Sequence, residues 1–384
     1  MPEPKGETFI FNLRELSGAL GDLGTLLPLM LGAIAVVGLA PTPVLLGFGL
    51  FYIASALYYR LPIPVQPMKA VAAVLLTAQV SPAGLAASGV MIGVVLLVLG
   101  VTGWIRRLAR LVPQSVLAGL QLGLGLALAL VSAGLMATAP VIAAVTVGLL
   151  VAFQFAPRWP SALIALAAAI ALARLLDVSG MTIAATASAA FAIPPLPSLA
   201  ETERAFSLYV LPQLSLTFTN AVLITSLIAG DYFGERAAHV TPARLSVTSG
   251  LANLLLTPFG ALPMCHGAGG LAAHYRFGAR SGAAPLALGL ALIAFALLPG
   301  GFGLAILAAI PAAALGALLL MASSELALTK RLFDSKPSCW PVIAVTAGAT
   351  LWVNPFWGLL SGSVAELLRL AAVRYFRRDA KSPR

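Results

Sequence analysis

The chain has 384 residues, 60% hydrophobic and only 9% charged, with 23 Lys and Arg against 13 Asp and Glu for a net charge of +10. A soluble domain carries about 25% charged residues, so this composition excludes a water-soluble globule, and its abundance of Leu, Ala, Val and Ile excludes a disordered chain. The apolar runs are continuous rather than alternating, which excludes a transmembrane β-barrel and leaves an all-α polytopic membrane protein.

A helix needs about 20 apolar residues to cross a bilayer. Apolar blocks predict fourteen segments, at 15–38, 41–60, 67–80, 83–104, 112–135, 138–156, 160–177, 208–230, 243–260, 266–276, 283–299, 302–321, 339–352 and 355–373. Segments 3 and 10 (67–80 and 266–276) are too short to span alone. Each follows an extended, Pro-rich stretch, Leu61-Pro62-Ile63-Pro64-Val65-Gln66-Pro67 and Leu262-Pro263-Met264-Cys265, where Pro blocks a regular helix. Non-helical backbone at membrane depth is tolerated only against protein or a water-filled cavity.

The two short segments also match each other. Pro64 to Ala70 lies on Pro263 to Gly269 at an offset of 263 − 64 = 199, and Val112-Pro113 lies on Ile310-Pro311 at 311 − 113 = 198. The same shift puts Glu15 on Gln213 and Asp22 on Asn220. Agreement within one residue points to an internal duplication. Seven segments per half is an odd number, so the reading is 7+7 inverted repeats with two broken half-helices, the pattern of a secondary transporter. The halves are 1–192 and 208–375, joined by a linker at 193–207 and followed by a tail at 376–384. With the N-terminus in the cytoplasm, 20 of the 23 basic residues fall on the cytoplasmic side; Arg174 and Arg204 lie outside and Lys69 within the membrane. That bias favours both termini being cytoplasmic. It also explains the +10 charge without a nucleic-acid partner.

Polar groups at membrane depth are functional candidates. They are Glu15, Asp22, Gln66, Lys69, Gln213, Asn220, Asp231, His266 and Glu325. In an inverted repeat the N-termini of the two short helices approach each other, and helix N-termini attract anions. The expected substrate-binding set is therefore Gln66, Pro67, Met68 and Lys69 from one end and Cys265, His266, Gly267 and Ala268 from the other, with Asp22 and Asn220. Lys69 either faces a ligand or pairs with Asp22. Gly269 and Gly270 serve either close packing or ligand approach. His266 is either a site residue or a satisfied core histidine. Glu325, near a helix end, reads first as an interfacial residue. The two cysteines, Cys265 and Cys339, make neither a disulfide framework nor a metal motif. No nucleophile arrangement appears, so no enzyme, metal or cofactor is expected.

The runs Glu15 to Thr25, Pro64-Val65-Gln66-Pro67-Met68-Lys69-Ala70 and Pro263-Met264-Cys265-His266-Gly267-Ala268-Gly269-Gly270-Leu271, with Tyr275 to Gly282, resemble the molybdate transporter family of plants, algae and bacteria, distant relatives of the sulfate permeases. The resemblance covers about Asn12 to Glu325. It implies a core domain (13–104 and 208–300) moving against a gate domain (111–192 and 302–375), and uptake of a tetrahedral oxyanion: molybdate foremost, with tungstate or sulfate as further substrates. A dianion entering against the membrane potential costs about 2.3 kcal/mol per charge per 100 mV, so co-transported protons are expected, with Asp22, Glu15 and His266 as carriers. The alternatives are a sulfate transporter or a proton-coupled nucleobase permease on the related fold. The expected setting is the bilayer of a bacterial inner membrane, with a homodimer as a candidate assembly.

Overall fold

The computed structural model describes residues 9–77, 81–108, 113–154, 161–180, 194–298 and 302–379. Of the basic residues used for orientation, Lys5, Arg110, Arg158, Lys381 and Arg384 lie outside these ranges, as does the proposed start of the linker at 193.

The first half opens with α1 (Leu13–Ala19), a 3₁₀ turn (Leu20–Asp22) and α2 (Leu23–Val37), followed by α3 (Pro41–Tyr59). A two-residue strand β1 (Gln66–Pro67) leads into the short helix α4 (Lys69–Thr77). Then come α5 (Pro82–Thr102), a brief α6 (Ile105–Leu108), α7 (Gln114–Met136), α8 (Pro140–Gln154) and α9 (Ser161–Leu175). The second half begins with a long, almost unbroken helical stretch, α10 (Leu199–Ala205), α11 (Leu211–Leu216) and α12 (Thr225–Phe233), joined by π-helical turns at Phe206–Val210 and Thr217–Ile224. It continues with α13 (Pro242–Leu256), strand β2 (Met264–Cys265), the short α14 (Ala268–Phe277) and α15 (Ala283–Leu297). The remaining helices are α16 (Phe302–Ala308), α17 (Ala312–Ala327), α18 (Lys330–Phe333), α19 (Trp340–Trp352) and α20 (Pro355–Asp379).

Three differences from the expected elements have local causes. The block 302–321 is two helices, because Pro311 caps α17 in extended geometry (φ −67°, ψ 142°) and ends the preceding run. Pro113 does the same for α7 (φ −63°, ψ 140°). Residues 199–207, read as linker, are helical. Their polar Glu-Thr-Glu-Arg sequence hides a capping box in which Ser198 accepts from Glu201 N and Glu201 accepts from Ser198 N. Glu201 also accepts from Ser81 Oγ at 2.6 Å, tying α10 to the start of α5. Asp22 lies midway along the Leu13–Ala35 stretch, where a 3₁₀ turn replaces regular α-helix between α1 and α2.

Six stretches of the described residues are long and apolar enough to cross a membrane: Leu13–Ala35, Pro41–Tyr59, Pro82–Thr102, Gln114–Met136, Leu199–Ala237 and Pro355–Val373. Large apolar side chains stand outward as well as inward; Leu13, Leu175 and Trp352 are more than 80% exposed. In water such a surface would drive aggregation; a bilayer accepts it, and the chain is an integral, multi-pass membrane protein.

The long helices pack in pairs across the chain. α5 lies on α13 and α3 on α15; α7 lies on α17; α8 meets α9 as α19 meets α20. Glycines set close crossings in both of the first two pairs. A Cβ on Gly93 of α5 would stand 3.0 Å from the Gly250 carbonyl oxygen of α13, and one on Gly49 of α3 would stand 2.9 Å from that of Gly289 of α15. Bare glycine faces let these backbones touch. At the centre β1 and β2 pair antiparallel, Gln66 opposite Cys265 and Pro67 opposite Met264. The difference 265 − 66 = 199 equals the internal offset read from the sequence.

Candidate functional site

The β1–β2 pair sets the geometry of the site. Extended backbone is forced by the prolines flanking Gln66 and Met264, and its buried polar groups are paired. Asn253 of α13 receives Met264 N on Oδ1 at 3.0 Å and donates to Met264 O at 2.6 Å, and Met68 N donates to Pro263 O at 3.0 Å. Antiparallel strands that each run into a helix bring the starts of α4 and α14 side by side.

The two helix starts are not equivalent. Gln213 of α11 turns its Oε1 onto α4, accepting from Ala70 N at 2.9 Å and Val71 N at 3.3 Å, while its Nε2 donates to Thr217 Oγ1 at 2.9 Å. The first turn of α4 is therefore closed by a side chain. α14 begins after Gly267 in extended conformation and has no side-chain cap. The N–H groups at that end, with their share of the helix dipole, are oriented for a negative ligand.

Two cavities meet here. A small one of about 20 Å³ is lined by Gln66, Pro67, Lys69, Cys265, His266, Gly267 and Asn220 among others, and a large one of about 540 Å³ runs past Arg276 and Glu325 to Thr329. Lys69, Gln121, Asn220 and Leu326 line both. A void of 20 Å³ holds about one water, so a larger solute needs the space of the 540 Å³ cavity.

Asp22 is fully buried and lines neither cavity. Its carboxylate accepts from Gln66 Nε2 and, at 3.1 Å, from Tyr52 Oη. Among the described residues it forms no ion pair with Lys69, which stands at the first position of α4 with its side chain on the cavity. Met68 and Ala268, expected at the site, are buried behind it, and neither lines a cavity. Glu15 is remote: its Oε1 accepts from Arg280 N at 2.6 Å, and it lines no cavity.

His266 lines the small cavity, but its ring is held from behind. Nδ1 is 2.9 Å from Pro64 O, and Nε2 is 2.8 Å from Thr248 Oγ1. A carbonyl only accepts, so Nδ1 carries a proton, and Nε2 shares a hydrogen with the Thr248 hydroxyl. Phe51 and Tyr59 pack on the ring at 5.0 and 5.5 Å between centroids. The ring thus ties β2 to the backbone before β1 while one side of it lines the cavity.

Four polar residues join the site that the expected set left out. Gln213 and Glu325 stood among the polar groups at membrane depth but were given no place at it; the match of Gln213 to Glu15 drew attention to the residue without revealing its role as a cap. Gln121 and Thr217 carried the same signal, a polar side chain inside an apolar run. Gln121 accepts from Arg331 Nη1 at 3.0 Å.

The likeness of this arrangement to solved structures defines the class. The fold matches the transmembrane domain of a cyanobacterium bicarbonate transporter with a TM-score of 0.67 at 17% identity, covering 90% of this chain and 96% of that one. It matches the murine Solute Carrier 26 family member A9, an anion transporter in the inward-facing state, with a TM-score of 0.70 at 14% identity, covering 96% of this chain and 69% of that one. The chain thus has the fold of membrane anion transporters.

The family follows from sequence. Residues 14–128 and 205–326 match the family described as "Molybdate transporter of MFS superfamily", and the chain belongs to that family. It is 30% identical to Molybdate transporter 2 of Arabidopsis thaliana over 92% of this chain and 86% of that protein. It is 28% identical to Molybdate transporter 1 of Chlamydomonas reinhardtii over 91% of this chain and 90% of that protein. The chain is a transporter and not an enzyme.

Proposed function

We propose that the protein takes up molybdate by proton-coupled alternating access, binding the oxyanion where the two cavities join. The observation that carries this reading is the uncapped start of α14 facing a cavity that also receives the Lys69 side chain and Asn220. A dipole end, an ammonium and an amide converge there, and all three favour an anion. Family membership narrows the anion to molybdate, with tungstate and sulfate as competing tetrahedral substrates.

The exchange of packing partners between halves, and a strand pair in register with the internal offset, support two inverted repeats. The pairing of α3, α5, α13 and α15 on one side and of α7, α8, α17, α19 and α20 on the other supports a core body and a gate body. On the orientation inferred from the basic residues, the 540 Å³ cavity runs toward the cytoplasm past Arg276, which corresponds to an inward-facing state. Entry of a dianion costs about 4.6 kcal/mol per 100 mV, so concentrative uptake requires compensating cations.

Labelled molybdate uptake into proteoliposomes tests the proposal. Uptake should saturate, rise with an inward proton gradient, collapse with a protonophore, and compete with tungstate and sulfate. Uptake insensitive to the gradient removes the coupling; absence of oxyanion binding by the purified protein removes the function.

A further inference from the structure

We propose that Glu325 carries the coupled proton: the anion and a proton on this carboxylate bind the cavity together. The inference rests on the oxyanion-transport reading above and assigns a role in it that none of Asp22, Glu15 and His266 is placed to fill.

Those three are committed elsewhere. Glu15 faces Arg280 N, Asp22 holds Gln66 and Tyr52 behind the cavity wall, and both ring nitrogens of His266 are bonded. Glu325 is the carboxylate, among the described residues, that lines the 540 Å³ cavity, and it is exposed to it. It shares that lining with two cationic side chains, Lys69 at the start of α4 and Arg276 on α14.

The surroundings of Glu325 name the groups that act on it. α17 packs on α2, α7, α8 and α9. α2 and α7 bring no ionisable side chain, nor does α8, and Arg174 of α9 lies in that helix's last turn. Asp22, just before α2, is within electrostatic reach of Glu325. Lys330 and Arg331 follow on α18, where the Arg331 guanidinium is engaged by Gln114 and Gln121. Two cations therefore share the cavity wall with one exposed carboxylate, and an arriving dianion meets both signs.

A negative Glu325 repels the dianion, and a protonated one does not. Whatever free energy protonation adds to anion binding, anion binding adds to protonation by the same factor. The contact across the cavity makes that linkage mechanical. Thr25 Oγ1 of α2 donates to Glu325 Oε2 at 3.1 Å, joining an element of the proposed core to one of the proposed gate. Protonation turns the carboxyl into a donor and removes the charge from this bridge, so the same event that admits the anion loosens α2 from α17.

The test is molybdate binding to the purified full-length protein as a function of pH, in the range where molybdate remains a dianion, for the wild type, Glu325→Gln and Glu325→Asp. The wild type should lose affinity as pH rises, by up to about tenfold per unit, the limit for one linked proton. Glu325→Gln should bind with the acid-limit affinity at every pH, and Glu325→Asp should keep the slope. In proteoliposomes Glu325→Gln should still exchange molybdate but no longer accumulate it with a proton gradient. A flat wild-type profile, or a Glu325→Gln profile with the wild-type slope, overturns the inference while leaving oxyanion transport standing. A wild-type protein that binds no oxyanion overturns the transport reading and the inference with it.

Discussion

Two adjacent glycines at the start of α14 make opposite predictions. A Cβ added to Gly270 would lie 2.7 Å from both carboxylate oxygens of Asp22 and 2.7 Å from Gln66 Nε2. It would stand in the hydrogen bond that joins them. Flexible side-chain ends normally yield at little cost, but Asp22 and Gln66 are only 1% and 2% exposed, and Asp22 is also bonded to Tyr52. Yielding therefore breaks a buried, charge-assisted bond, worth about 1.5–3 kcal/mol, and adds about 1–3 kcal/mol of overpacking. Gly270→Ala should cost about 2.5–6 kcal/mol in all. A Cβ on Gly269 meets nothing within 4 Å. Gly269→Ala should keep or raise stability, since Ala is favoured over Gly in a helix by about 1 kcal/mol. Thermal unfolding of the purified variants in detergent, with molybdate binding in parallel, measures both. Equal melting temperatures for wild type and Gly270→Ala would refute the close packing of α14 on Asp22 and Gln66.

Gln213→Ala should leave the Ala70 and Val71 N–H groups without an acceptor, costing about 1–3 kcal/mol for each group left dry, read as a lower melting temperature. Lys69→Ala should weaken molybdate binding at least tenfold, with Lys69→Arg retaining part of it, measured by titration calorimetry. Ser198→Ala should remove the cap of α10 and cost about 1 kcal/mol, with molybdate affinity unchanged. His266→Gln should lower thermal stability yet leave the pH slope of molybdate binding intact, because both ring nitrogens are engaged by Pro64 O and Thr248 Oγ1 and the ring serves to hold β2 in place.

Much of the architecture is legible along the chain because prolines and apolar length act locally. Pro64, Pro67 and Pro263 favour extended backbone, so two short helices preceded by extended stretches could be read along the chain, and their pairing as strands β1 and β2 could not. Pro311 carried the same signal, yet the apolar run across it masked the break between α16 and α17. α10 was hidden for the opposite reason: its polar first turn looks like a linker until the capping box of Ser198 and Glu201 is seen to dock on Ser81. The internal offset of 199 rested on weak matches in sequence and reappears as the pairing of Gln66 with Cys265.

The site is legible to a lesser depth. Composition alone brought out Asp22, Gln66, Lys69, Gln213, Asn220, His266 and Glu325, since a polar group inside an apolar run is costly wherever it faces. Which of them meets the cavity is another matter. A soluble helix announces its buried face by amphipathic periodicity, but here lipid and protein interior are both apolar, and the helices are apolar all round. Only tertiary packing orients each side chain about its helix axis. It turns Gln213 onto α4, holds His266 against Pro64, seals Asp22 behind Gln66, and leaves Lys69 and Glu325 facing the same space.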